Sequence, residues 1–341
     1  MCIASVRESA VRGKVKGAAA VHRWFAVAED ALEVHRERLD RLNVYPVADS
    51  DTGSNMLATI RSSRVAVEEA DHEDLGALLA AAGAQAMGSA HGNSGTLLAV
   101  LISGFAEPLN GQERLTVNAL SRGLDRASLR GWSALTQPVS GTMLSVLDAA
   151  RDEARSCASA AVAPDSRAAV EEALPRVLAA ARQAVAQTEH QLPELARAGV
   201  VDSGGLGLLL VLAALSATVR GEALEDQIMH GLSGWDNAFE PSEHTTTSSS
   251  LSGNDAPTGP LQSGVELMCT ARLNPLKAAE LRHRLDELGE SVIITPIGSE
   301  ADLDGSLRWR IHVHTDQPDA TLEAVHDAGP LEDSSTNPLN R

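Results

Sequence analysis

Aromatic residues are almost missing from this chain: 341 residues include four Trp, three Phe and one Tyr. A core so poor in rings must be filled by Ala, Leu and Val, which suits closely packed helices better than a β-sandwich. Cysteine is equally scarce. Cys2, Cys157 and Cys269 are too few and too widely spaced for a disulfide framework, so a reducing cytoplasm is the expected location. Positive charge is short too. The 28 Lys and Arg against 46 Asp and Glu leave a net charge of −18, which argues against a broad nucleic-acid or anionic-membrane surface. No uninterrupted apolar run reaches ~18 residues, the lower limit for a membrane-spanning helix. No secretory signal is visible either, since no apolar stretch follows the first charges. A nucleotide site survives all these exclusions, because backbone amides and metal ions can bind phosphate inside an acidic protein.

What is present is 43 % apolar residues, enough for a real core, in a length that suggests two domains. Over 18–42, Val21, Phe25, Ala28, Leu32, His35 and Leu39 recur at helical spacing. Helical text resumes over 56–69, 75–87, 96–105, 117–129, 142–155, 166–187 and 207–219, giving about eight helices and no strand before 260. Residues 234–264 are rich in Ser, Thr, Gly and Pro and read as a flexible linker. Beyond it the period changes. Strands are expected at 265–270, 291–296 and 307–314, with helices opening at Asn274-Pro275 and over 318–328, so 265–330 reads as a small α+β module. The last residues, SSTNPLNR, carry no packing signal.

Four loops of small residues each open a helix. NVYPVADSDTGSNM holds Asp49 and Asp51 two apart. Carboxylates gathered this way repel, and a cation such as Mg²⁺ relieves the repulsion. The bland alternative is a solvated Asx turn capping the next helix. SAHGNSGTLLAVL brackets Asn93 and Ser94 with Gly92 and Gly95 at a helix start, where exposed amides and the helix dipole favour phosphate. PVSGTMLSVL opens a helix at Thr142 and Met143, with Ser140 or Thr142 available as a cap. GVVDSGGLGLLL places Asp202 and Ser203 before Gly204 and Gly205. Each loop alone is ordinary. In an alternating bundle every second helix N-terminus lies at the same end, so together they predict one shared rim.

These four blocks, in this order and spacing, resemble the nucleotide-binding L-domain family of dihydroxyacetone kinases, and more closely the catalytic subunit of bacterial fatty acid kinase. The resemblance covers 18–217. It implies an all-α N-terminal domain, a barrel of eight antiparallel helices that binds ATP and Mg²⁺ at one end. By the same resemblance Asp49 and Asp51 hold the metal, and Gly92, Asn93, Ser94 and Gly95 line the phosphates. Thr142 and Met143 lie against the nucleotide, Asp202 and Gly204 belong to a closing loop, and Thr52 and Asn55 join the binding set. Three positions depart from the family. Ser50 replaces a glycine between the aspartates, Val44 stands where dihydroxyacetone kinases have a third aspartate, and His91 stands where Arg is frequent. Asn43 is a neighbouring candidate for the missing third group.

The second module resembles the middle domain of bacterial fatty acid kinases, through MCTAR and RIHVHTD. The resemblance nominates Cys269, His312 and His314 as candidate zinc ligands, with Ala271 where the family has an acidic residue. Strand periodicity puts both histidines on one face, opposite Trp309, Ile311 and Val313. The implied activity is phosphoryl transfer from ATP to a fatty-acid carboxylate presented by a DegV-like lipid-binding partner, with Asp49 and Asp51 catalytic through their metal. Two other classes stay open: a dihydroxyacetone-type (glycerone) kinase component, and a nucleotide-binding regulator or scaffold without turnover. A homodimer is left open. The family's further C-terminal domain has no counterpart before Arg341.

Overall fold

A computed structural model describes residues 15–236, 264–298 and 301–339. The first module is helical: α1 (Ala18–Arg41), α2 (Thr52–Glu69), α3 (Leu75–Ser89), α4 (Gly92–Ala106), α5 (Val117–Ala134), α6 (Met143–Ala160), α7 (Arg167–Gln191), a six-residue α8 (Pro193–Ala198) and α9 (Ser203–Arg220). Each long helix packs on the next, and α9 returns to α1, so eight long helices close into an antiparallel barrel. The helices start where side-chain chemistry allows. Asp74, Thr116, Ser166 and Asp202 each accept a backbone N–H from the first turn of the helix that follows. The few rings are concentrated inside: Trp24 stacks near Phe25 and Phe105 and donates its indole N–H to the Val211 carbonyl (2.9 Å). Ala and Leu fill the rest of the core.

Helix α9 is long and apolar enough to cross a membrane by length and composition, although its sequence contains polar breaks. Of its residues 89 % are buried, as in the core helix of a folded domain. The barrel has two distinct ends. The loops before α2, α4, α6 and α9 gather at one, while Gly17, Leu75, Leu115 and Arg167, at the starts of α1, α3, α5 and α7, gather at the other.

The second module runs β1 (Val265–Leu273), α10 (Pro275–Leu288), β2 (Glu290–Pro296), β3 (Leu307–Thr315), α11 (Pro318–Ala328) and β4 (Leu331–Pro338). Its antiparallel sheet has the order β2-β3-β1-β4. Leu267, Cys269, Ala271, Ile311 and Val313 face α10 and α11 in a separate small core. The opposite face turns towards the barrel.

Two boundaries differ from the sequence reading. The segment expected to be linker from 234 begins as packed chain, because Trp235 is buried against His35 with Arg38 over its ring. The rest of the expected linker, 237–263, lies outside the described residues. The module also continues past 330 into β4, which pairs with β1 although almost every side chain on it is exposed. Backbone pairing holds this strand, so it leaves no hydrophobic alternation to read.

The modules are joined by specific contacts. Ile293 packs with Met87, Ala90 and Val100, Leu135 forms a bridge with Ile293, and Thr136 N–H donates to the Val292 carbonyl (3.2 Å). Arg282 donates from Nη1 to the Ser133 carbonyl (2.6 Å) and from Nη2 to the Ile294 carbonyl (2.7 Å).

Candidate active site

The Asp49–Asp51 loop connects α1 to α2. Asp51 occupies the N-cap position of α2 without making a side-chain cap bond, which removes the Asx-cap explanation for it. Asp40, the penultimate residue of α1, does that work instead. Its two oxygens accept Ser54 N–H (2.9 Å) and Ser54 Oγ–H (2.8 Å). The Asp51 side chain is therefore left to the cavity that it and Asp49 border. Burial, then the charge of Asp51, pushes Asp49 up to about 7. Burial is also the largest cause that raises Asp51. Asn43 donates from Nδ2 to Asp49 Oδ1 at 2.5 Å, so this neighbour of Val44 orients the pair. Between the aspartates, Ser50 adopts φ 57°, a conformation that favours glycine.

The second loop is held against the first. A Cβ on Gly92 would collide with Asn55 Nδ2, and one on Gly95 would lie 3.0 Å from the Asn55 carbonyl oxygen. Gly92 also has φ 62°. These glycines let α4 start close beside α2. His91 precedes α4 without a side-chain cap bond. In the third loop Thr142 does not cap α6 either, and its hydroxyl donates to the Val139 carbonyl (3.0 Å). In the fourth, Asp202 caps α9 by accepting Gly205 N–H (2.6 Å). Burial pushes Asp202 up to about 7, against the lowering by its bond from Gly205 N–H.

The loops line one cavity of about 300 Å³. Asp49, Asp51, Thr52, Asn93, Ser94, Thr142, Met143, Asp202 and Gly204 all border it, whereas Asn55, Gly92 and Gly95 support its wall from behind. Part of the wall lies outside the sequence expectation. Tyr45, Leu135, Gln137 and Val139 complete the barrel side, and Asp286, Gly289, Glu290, Ser291 and Val292 come from the second module. Only the block NVYP hints at Tyr45. The second-module residues reach the cavity through inter-module packing, for which no local signal exists. Every charged side chain among the described lining residues is acidic: Asp49, Asp51, Asp202, Asp286 and Glu290. Such a cavity accepts a polyphosphate only with divalent cations, and the adjacent oxygen donors of Asp49 and Asp51 suit Mg²⁺.

The expected zinc set is corrected by the strand register. Cys269 lies opposite Ile311, and both face the small core under α10 and α11. Met268 lies opposite His312, and Glu266 opposite His314, on the face towards the barrel. The group that joins the two histidines is therefore Glu266, with ligand atoms of all three within 4.8 Å of one another. Glu266 Oε1 accepts from His312 Nε2 (3.0 Å) and from Gly92 N–H (2.7 Å). Arg310, on the same face, donates from Nη2 to the Ala90 carbonyl (3.4 Å).

Comparison with known proteins agrees with this architecture. Residues 46–217 match the DAK2 domain, and residues 264–340 match the FakA-like middle domain of fatty acid kinases. Protein YloV of Bacillus subtilis is 28 % identical over 307 residues, covering 88 % of this chain and 51 % of that protein. An uncharacterized protein of Staphylococcus saprophyticus is 35 % identical over 196 residues, covering 58 % of this chain and 34 % of its own length. The chain thus spans about half or less of these relatives. Among solved structures, the dihydroxyacetone kinase from C. freundii in complex with AMP-PNP and Mg²⁺ aligns with 63 % of this chain and 37 % of its own, at 23 % identity and a TM-score of 0.42. With its barrel matched to one domain and its sheet module to the other, the chain belongs to the DAK2-domain family and carries a FakA-like middle domain.

Proposed function

We propose that this chain transfers the terminal phosphoryl group of Mg·ATP to the carboxylate of a fatty acid, presented by a DegV-like lipid-binding partner, to give an acyl phosphate. The observation that carries the nucleotide part is the wholly acidic lining around the Asp49–Asp51 pair. The middle-domain match supports the acceptor class. Asp49 and Asp51 would hold Mg²⁺, which when bound supplies the positive charge that the cavity wall lacks. Asn43 fixes the orientation of Asp49. Asn93 and Ser94 offer first-turn amides of α4 to phosphate oxygens, and Thr142, Met143 and Gly204 form the wall against the rest of the nucleotide. A carboxylate acceptor is already nucleophilic, so positioning and charge neutralisation carry the rate, and no strong base is required.

The test is Mg-dependent ATP consumption by the purified chain with a lipid-loaded DegV-like protein, beside a partner-free control. Turnover that needs both partner and lipid supports the proposal. Equal turnover without them removes the acyl acceptor, and binding of ATP without turnover points to a nucleotide-binding regulator.

A further inference from the structure

The cavity reaches Asn93 and Ser94 but not Gly92, the first residue of α4. The Gly92 amide is bonded to a carboxylate from the other module. Glu266 on β1 is only 8 % exposed, and three donors converge on it: Gly92 N–H at 2.7 Å, His312 Nε2 at 3.0 Å and Asn337 Nδ2 at 3.3 Å. Burial alone would raise its pKa, but these bonds hold it down at about 2, so the group is an anion. Helix α4 lacks a side-chain cap from His91. A glutamate thus takes the position that an open helix N-terminus offers to a phosphate. Gly92 lies against Asn55, one turn past Asp51 on α2, so the bonded Glu266 carboxylate sits beside the metal end of the cavity. A bound nucleotide's terminal phosphates belong at that end.

One N–H cannot fully serve two anions, and a carboxylate beside a phosphate repels it. We propose that Glu266 is a specificity-determining residue that occupies the terminal-phosphate position at Gly92 and thereby sets the preference of the cavity between nucleoside triphosphates and diphosphates. The inference rests on the reading of the cavity as a Mg·nucleotide site. A diphosphate reaches Asn93 and Ser94 with Glu266 in place. A triphosphate carries one more anionic group and must displace the carboxylate from Gly92. Triphosphate binding is therefore coupled to release of the contact between β1 and α4.

The test is calorimetric titration of the full chain with Mg·AMP-PNP and with Mg·ADP, for wild type, Glu266→Ala, Glu266→Gln and Asp51→Asn. Removing one hydrogen-bonded charge from the site is expected to tighten Mg·AMP-PNP about tenfold in Glu266→Ala, with Mg·ADP changed by less than about twofold. Glu266→Gln, which keeps the shape and loses the charge, is expected to lie between wild type and Glu266→Ala, and it carries the test if the alanine variant melts too low to titrate. Equal changes for both nucleotides, weaker triphosphate binding, or no change in either variant would overturn the inference. Loss of both nucleotides in Asp51→Asn keeps the nucleotide reading intact while Glu266 is judged. Absence of binding by wild type would overturn both.

Discussion

Asp49 and Asp51 border the same cavity at the start of α2, where the charge of Asp51 bears on Asp49, and the Asp51 side chain contributes nothing to capping that helix. Paired carboxyls with an unfavourable mutual charge, one of them at a helix start it does not cap, mark a place built for a cation. Asp51→Asn keeps the size of the side chain and halves the charge of the pair. Its expected effect is loss of Mg-dependent nucleotide binding in calorimetry, with a melting temperature at or above that of wild type. Undiminished binding would take the metal role away from the pair.

The same pair makes stability depend on pH. An aspartate normally titrates at 3.8, whereas Asp49 is pushed up to about 7, so the folded state binds its proton more tightly than the unfolded state. Between these values the folded state holds the extra proton, and the stability contributed by this group falls as pH rises through the window. Asp202, also pushed up to about 7, acts in the same direction. Mg²⁺ competes with the proton on Asp49. Thermal melts across this range should therefore show a metal-free decline that Mg²⁺ reduces, with Mg²⁺ affinity rising with pH. A Mg²⁺ effect that is the same at every pH would contradict the assignment.

Ser50 holds φ 57° between the two aspartates. A residue with a Cβ loses about 1–2 kcal/mol in this left-handed region. Glycine removes that cost but returns part of it as unfolded-state entropy. Ser50→Gly is therefore expected to stabilise the chain by about 0.5–1 kcal/mol, measured by denaturant unfolding with an unchanged m-value. Destabilisation would show that the Ser50 hydroxyl contributes more than its backbone costs.

Cys269 is expected to be chemically silent. It is fully buried in the small core, and burial pushes its thiol up to about 12. Alkylation at neutral pH, followed by peptide mass spectrometry, should leave Cys269 unlabelled in the folded chain and label it after denaturation. Rapid labelling of the native protein would mean that β1 presents its other face.

The helical part of the fold is legible in the sequence because its signals are local. Val21, Phe25, Leu32 and Leu39 repeat at the helical period, and the glycine loops mark where helices begin. Convergence of the four loops follows from helix alternation alone. Cys269 misleads for a different reason. Periodicity within a strand assigns faces inside that strand, but the register between β1 and β3 decides which faces coincide, and that register is set by long-range pairing. The second-module wall of the cavity is likewise invisible. Gly289 to Val292 meet Leu135 and Gln137 only across the docking of two separate cores. Trp235 reads as the start of a polar stretch, and its partners His35 and Arg38 lie about two hundred residues earlier.

Strand β4 leaves a different imprint on how this protein can vary. Its side chains Glu332, Asp333, Ser334, Ser335, Thr336 and Asn337 are exposed, while its main chain pairs along β1. Ser334, Ser335 and Thr336 can be exchanged freely as long as their amides remain, whereas Asn337 is tied to Glu266 and Glu332 to Arg272 and Arg308, and a proline at a pairing position is the substitution the strand cannot absorb. Its outer edge is acidic and hydroxylated, which discourages other strands from adding to the sheet. Sequence drift without loss of shape is therefore the expected history of the last strand, and a search for hydrophobic pattern will keep overlooking it in distant relatives.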